Sequence, residues 1–179
     1  MMFSIFKLKD STPLNDRESV YLMKMLQRYS VTRQGLWLQE LDYRKFQFLW
    51  CLGMLDSGGV MGCFSPLFQS CVFLLPSGDP EVLPQKKYDV GRCYWVEQLF
   101  QTIIHELRHA YQWKKSKFAY LLFAFPVIRQ FTLEYGANKA QKECADFLRR
   151  WTAEWDYREA AARGMAEQII LEKEENYVS

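Results

Sequence analysis

Three side chains in one five-residue stretch could act together on a metal and a water molecule. The stretch is His105-Glu106-Leu107-Arg108-His109, and its two histidines are the only two in the 179-residue chain. On a helix, positions i and i+4 stand one turn apart on one face, so both imidazoles can reach a single ion. Glu106 projects from the same side and can reach a water beside that ion. Two histidines placed at random fall four apart in only about one placement in a hundred, before the intervening glutamate is required. The chemistry implied is zinc-assisted hydrolysis, with Glu106 as general base.

Catalytic zinc usually takes three protein ligands and keeps one position for water. The chain holds no further histidine, and none of its five cysteines (Cys51, Cys63, Cys71, Cys93 and Cys144) stands in C-x-x-C spacing. The third ligand is therefore expected to be a carboxylate on a downstream helix. Glu159 ranks first, because it lies on the apolar stripe Trp151, Trp155, Ala162, Ala166, with small neighbours at Ala160 and Ala161 that would let a second helix approach. The competing reading of Glu159 is a surface glutamate paired with Arg163 at i+4. Glu134 is the alternative third ligand: it follows Phe131 by three residues on an apolar face and has Gly136 and Ala137 nearby. Glu143, Asp146, Glu154 and Asp156 fall on polar sides and read as solvated.

The composition narrows the setting. The chain is 49% apolar and 16% aromatic, and its 23 basic and 21 acidic residues leave a net charge of +2. That suits a single domain over residues 1–179 with a sizeable core. It gives no electrostatic case for nucleic acid. The basic run Lys114-Lys115-Ser116-Lys117 reads as a helix end that favours cations. The odd cysteine count reads as reduced, buried thiols, and Lys7 and Lys9 interrupt the N-terminus before any signal-like apolar run; a cytoplasmic location is the expectation. The most apolar segment, 118–128, contains Pro126 and is too short to span a bilayer, which takes about 20 residues. Within it, Phe118–Phe125, ended by Pro126, reads as a buried short helix, with an exposed apolar contact surface over 118–128 as the alternative.

The elements that must position the motif follow from periodicity. Asp16 is a candidate N-cap for a helix to about Tyr29. Gly35 argues for a break in the ambiguous region 31–43. From Lys45 the pattern changes to period two, with Phe46, Phe48, Trp50, Leu52 and Met54 on one face of a strand. Asp56-Ser57-Gly58-Gly59 signals a turn; Val60–Phe64 and Gln69–Leu75 complete a strand meander. Gly62 within it suggests a bulge, or a close approach by another backbone. A loop over 76–91 leads to the motif helix, expected from about Arg92 to Lys114. Val96, Leu99, Phe100, Ile103, Leu107 and Ala110 form its core stripe, with His105 and His109 beside it. Everything after Pro126 reads helical, interrupted at Gly136.

With these elements the motif resembles the zincin metallopeptidases, and among them the gluzincin type, whose third ligand is acidic. The resemblance implies an α+β zincin-like fold: a small antiparallel or mixed sheet, an H-E-x-x-H helix and a C-terminal helical region. It implies Zn2+ held by His105, His109 and the downstream glutamate, a zinc-bound water activated by Glu106, and a peptide or protein substrate added to an edge strand, for which Val60–Phe64 is the candidate. Tyr111, Tyr135, Tyr157 and Arg129 are available to stabilise an oxyanion. The metzincin extension is absent, since Gln112 and Lys115 stand where its glycine and third histidine belong. The Asp that thermolysin-like enzymes place four residues after the ligand glutamate is replaced by Arg163 when counted from Glu159. Two further readings stand beside the peptidase: a zincin-fold binding or assembly protein with little activity, and a chance motif in a helical core.

Overall fold

The computed structural model describes residues 11–52, 61–66, 70–75, 93–122 and 132–178. Its elements are β1 (Ser11–Pro13), α1 (Asp16–Ser30), α2 (Trp37–Glu40), a 3-10 turn over Tyr43–Lys45, β2 (Gln47–Leu52), β3 (Met61–Ser65), β4 (Ser70–Leu75), α3 (Tyr94–Lys115), α4 (Lys117–Leu122), α5 (Leu133–Glu143) and α6 (Ala145–Val178). The fold is α+β, mostly helical with one small mixed sheet. The chain forms two compact units, Met1–Ala145 and Asp146–Ser179.

Helix α1 begins one residue earlier in its capping than Asp16 suggests. Asn15 is the N-cap: its Oδ1 accepts the Glu18 backbone N–H at 2.9 Å, and the Glu18 carboxylate accepts the Asn15 N–H at 3.0 Å. This reciprocal pair satisfies two donors that a helix start otherwise leaves open. Tyr21, Leu22, Met25, Leu26 and Tyr29 then face inward and are buried.

The sheet runs in the order β1-β2-β4-β3, so it is not the meander that the alternation suggests. β2 lies parallel to β4, and β3 pairs antiparallel with β4 in an unbroken register from Met61↔Leu74 to Ser65↔Ser70. The alternation in a strand reports which face is apolar and says nothing of which strand lies alongside. The unbroken register also removes the bulge expected at Gly62. Among the described residues β3 pairs with β4 alone, which leaves it at the sheet edge.

Helix α3 is the hub: it packs on α1, α2, α4, α5, β3 and β4. Val96, Leu99, Phe100, Ile103, Ile104, Leu107 and Ala110 are all buried, and Phe100 meets Tyr29 edge-to-face at 5.9 Å. These seven include the whole core stripe read from the sequence. The basic run closes the helix as expected, and Lys115 pairs there with Glu40 of α2. Arg108 points toward α2, its guanidinium over the rings of Trp37 and Tyr111 at 5.1 and 4.9 Å.

Two expectations change downstream. Phe118 and Leu121 of α4 are exposed, at 77% and 60%, so this part of the apolar segment is not a buried helix; residues 123–131 lie outside the described residues. Gly136 sits inside α5, and the helical break falls at Cys144. Helix α6, in the second unit, is continuous for 34 residues and carries side-chain pairs Asp146–Arg149 and Glu154–Arg158 along its surface. Among the described residues no helix is long and apolar enough to cross a membrane. Cys71, Cys93 and Cys144 are buried free thiols.

Candidate metal centre

The helical phase of α3 turns His105 and His109 toward α5. Their rings stand edge-to-face with centroids 4.9 Å apart, and their two Nε2 atoms are 3.2 Å apart. Glu134, in the first turn of α5, brings its Oε2 to 3.2 Å from His105 Nε2 and 3.5 Å from His109 Nε2. The side chains are 15% (His105), 3% (His109) and 24% (Glu134) exposed, so the group has a packed side and an open side. These are the three residues that the structure brings together as a possible metal-holding group.

Two glutamines that the motif does not include set the tautomers. Gln112, one turn after His109, places its Oε1 3.0 Å from His109 Nδ1, and its Nε2 donates to the Leu133 carbonyl at 3.0 Å. The carbonyl can only accept, which fixes the amide orientation; Gln112 Oε1 therefore accepts, and His109 Nδ1 must carry the proton. Gln141, two turns after Glu134 on the same face of α5, places its Oε1 3.1 Å from His105 Nδ1. With Nδ1 protonated, His109 Nε2 presents a lone pair, and a neutral His105 that donates from Nδ1 to Gln141 presents another. Two imidazole lone pairs and a carboxylate oxygen then converge on one point.

Three acceptors that close repel one another unless a cation lies between them. Donors held about 2.0–2.2 Å from a tetrahedral zinc stand about 3.3–3.6 Å apart. The observed separations of 3.2, 3.2 and 3.5 Å match that triangle, so the residues present fit zinc. The orienting amides on the far ring nitrogens are what a metal-ligating histidine normally has.

Glu106 points to the other neighbour of α3, the edge strand. It is 5% exposed, and the Phe64 backbone N–H donates to its carboxylate. Burial pushes its carboxyl above the usual range against the pull of His109, His105 and that N–H. For His105 burial works to depress the imidazole, but the Glu134 carboxylate, Glu106 and Gln141 outweigh it and hold the ring above its ordinary value.

The other candidates separate clearly. Glu143 is exposed and faces Lys139 at 3.9 Å. Asp146 and Glu154 pair with arginines on α6, and Asp156 is exposed. Glu159 lies on α6 in the second unit, and its side chain is outside the described residues. Tyr111 donates to Glu40 at 3.2 Å, Tyr135 and Tyr157 are exposed, and Arg129 lies outside the described residues. The aromatic ring that does adjoin the centre is Tyr120 of α4, edge-on to His109 at 6.4 Å and to Trp113 at 5.5 Å. A cavity of about 280 Å³ lies beside it, lined among others by Arg108, Gln112, Tyr120 and Leu133.

Sequence reasoning did not find Gln112, Gln141 or Tyr120. A signal existed for the first two: each stands at helical spacing, three residues after His109 and seven after Glu134, on a ligand-bearing face. No known protein family, curated protein or solved structure matches the chain.

Proposed function

We propose that this protein is a zinc-dependent metallopeptidase whose metal is held by His105, His109 and Glu134 and whose general base is Glu106. The observation that carries the reading is the convergence of two Nε2 atoms and one carboxylate oxygen within 3.5 Å, with the far nitrogens in contact with Gln141 and Gln112. Zinc bound there supplies a Lewis acid that polarises a carbonyl and acidifies water.

The chain's own residues supply the rest. Glu106, buried beside both histidines, accepts a proton from the attacking water and can return it to the leaving amine. The edge of β3 offers backbone groups to an extended peptide, whose carbonyl would then lie near Glu106. The cavity beside Tyr120 gives a neighbouring side chain of such a substrate a place to lie.

The test is metal analysis coupled to one substitution. The purified protein should hold about one zinc per chain. Glu106→Gln should keep that zinc and lower peptide hydrolysis by about 100- to 10,000-fold. A protein that takes up no zinc when it is supplied overturns the metal centre. A zinc-loaded protein that cleaves no peptide library favours the binding or assembly protein instead.

A further inference from the structure

We propose that strand β3 positions the general base: the Phe64 backbone N–H holds the Glu106 carboxylate, and Gly62 leaves the space in which that carboxylate lies. This rests on the reading of Glu106 as the base.

A glutamate side chain has three rotatable torsions, and near-attack geometry needs it fixed to within a fraction of an ångström. Its backbone position on α3 alone does not do that. The partner for the carboxylate comes from the sheet edge. In an antiparallel pair alternate residues turn their N–H away from the neighbouring strand. The Phe64 N–H donates to Glu106. Gly62, two residues earlier, shares the face of β3 on which the Phe64 side chain is buried.

Glycine at this position is explained by space. The Gly62 backbone is not in the left-handed region, so its conformation suits other residues. A Cβ there would stand 2.6 Å from Glu106 Cγ, 2.9 Å from Glu106 Oε1 and 2.9 Å from Thr102 Cγ2. Thr102 is β-branched and stiff at χ1. β3 has little freedom to retreat, because five consecutive residues are in register with β4 and β4 is in register with β2. The group that gives way to any side chain at 62 is therefore the Glu106 carboxylate.

The experiment uses the full-length zinc protein. Gly62→Ala should hold zinc within about threefold of the wild-type affinity, since no ligand touches residue 62, and lower kcat by about 10- to 100-fold with KM nearly unchanged. Replacing the amide of Phe64 by an ester removes the N–H and keeps the buried ring. It should lower kcat by about tenfold, and it carries the test if Gly62→Ala does not fold. A rise in KM alone overturns the proposal, because β3 then acts on the substrate. Loss of zinc affinity in step with the rate overturns it as well, because residue 62 then only supports the fold; an unchanged kcat in both variants does the same. A readout without activity separates this from the peptidase reading. If the wild type cleaves nothing, that reading fails, and the thermal cycle decides the placement. The melting temperature lost on Gly62→Ala should be mostly recovered in a Glu106→Ala background, and additive losses overturn the contact.

Discussion

Helix α3 buries two glutamates nine residues apart, in two regions that use them differently. Glu97, 2% exposed, lies at the end of α3 that packs on α1, where the Tyr21 hydroxyl donates to its carboxylate. Glu106, 5% exposed, lies at the end that faces β3 and α5, beside two imidazoles and below a strand edge. Burial alone would mark both as functional candidates. The neighbours decide between them. At Glu97 a neutral hydroxyl on a packed helix supplies the hydrogen bond a buried carboxylate needs. At Glu106 the surroundings include two imidazoles, the Glu134 carboxylate and a donor on an edge strand. A buried carboxyl is informative when the groups around it could themselves hold a ligand.

The largest effects should come from changing the residues of that second region. His109→Ala and Glu134→Ala should each weaken zinc binding by more than about 100-fold, beyond the range of outer-sphere changes. Glu97→Gln should leave zinc affinity unchanged, and equilibrium competition against a chromophoric chelator measures all three. Glu159→Ala belongs in the same series, because sequence ranks it above Glu134. It should bind zinc as the wild type does, and the reverse pattern would return the third ligand to α6. Gln112→Ala and Gln141→Ala come next, at about 10- to 100-fold, since each frees an imidazole to take the wrong tautomer. An affinity unchanged in both would mean that the amides only fill space.

The contrast between the two ends of α3 also shows what sequence can convey. The histidine pair was legible because a helical repeat alone puts i and i+4 on one face, whatever surrounds them. The core stripe was legible for the same reason, and strands β3 and β4 fell within about a residue of expectation. Strand order was not, because β2 carries the same alternation whether β3 or β4 lies beside it. Glu134 ranked below Glu159 because periodicity rewards deep burial. Glu134, which the structure places beside both histidines, is 24% exposed. Gly62 was read as a bulge because strand sequence does not show which helix side chain lies beneath it. In the sequence Gln112 stands where a metzincin has its glycine; its use follows from the fold, which flanks it with His109 Nδ1 and the Leu133 carbonyl.

At the packed end the expected effect is one of stability. Tyr21→Phe removes a hydroxyl from a buried carboxylate and should cost about 1–3 kcal/mol. In a chain of this size that lowers the melting temperature by several degrees, at about 2–4 °C per kcal/mol. Zinc affinity should not move. A Tyr21→Phe variant that melts like the wild type but loses zinc would erase the distinction between the two ends of α3.

The smallest effect lies on α5, which repeats the contrast. Its first turn carries Glu134, and the residue after its last turn is Cys144. Burial pushes the Cys144 thiol up to about 12, whereas a thiol drawn to a metal or cation would be pushed down. The unfolded chain loses this proton near the ordinary thiol value and the folded chain does not. Stability is therefore complete below the ordinary value and falls as pH rises from about 9 towards 12. At pH 10 the loss assigned to this group is about 1–2 kcal/mol. Urea melts between pH 7 and 10 should show the decline in the wild type and a shallower one in Cys144→Ala. Native-state alkylation at pH 8 gives the kinetic counterpart, with Cys144 reacting far more slowly than in urea. Rapid alkylation of Cys144 in the folded protein would place an ionised thiol on the ligand-bearing helix and join its two ends into one reactive region.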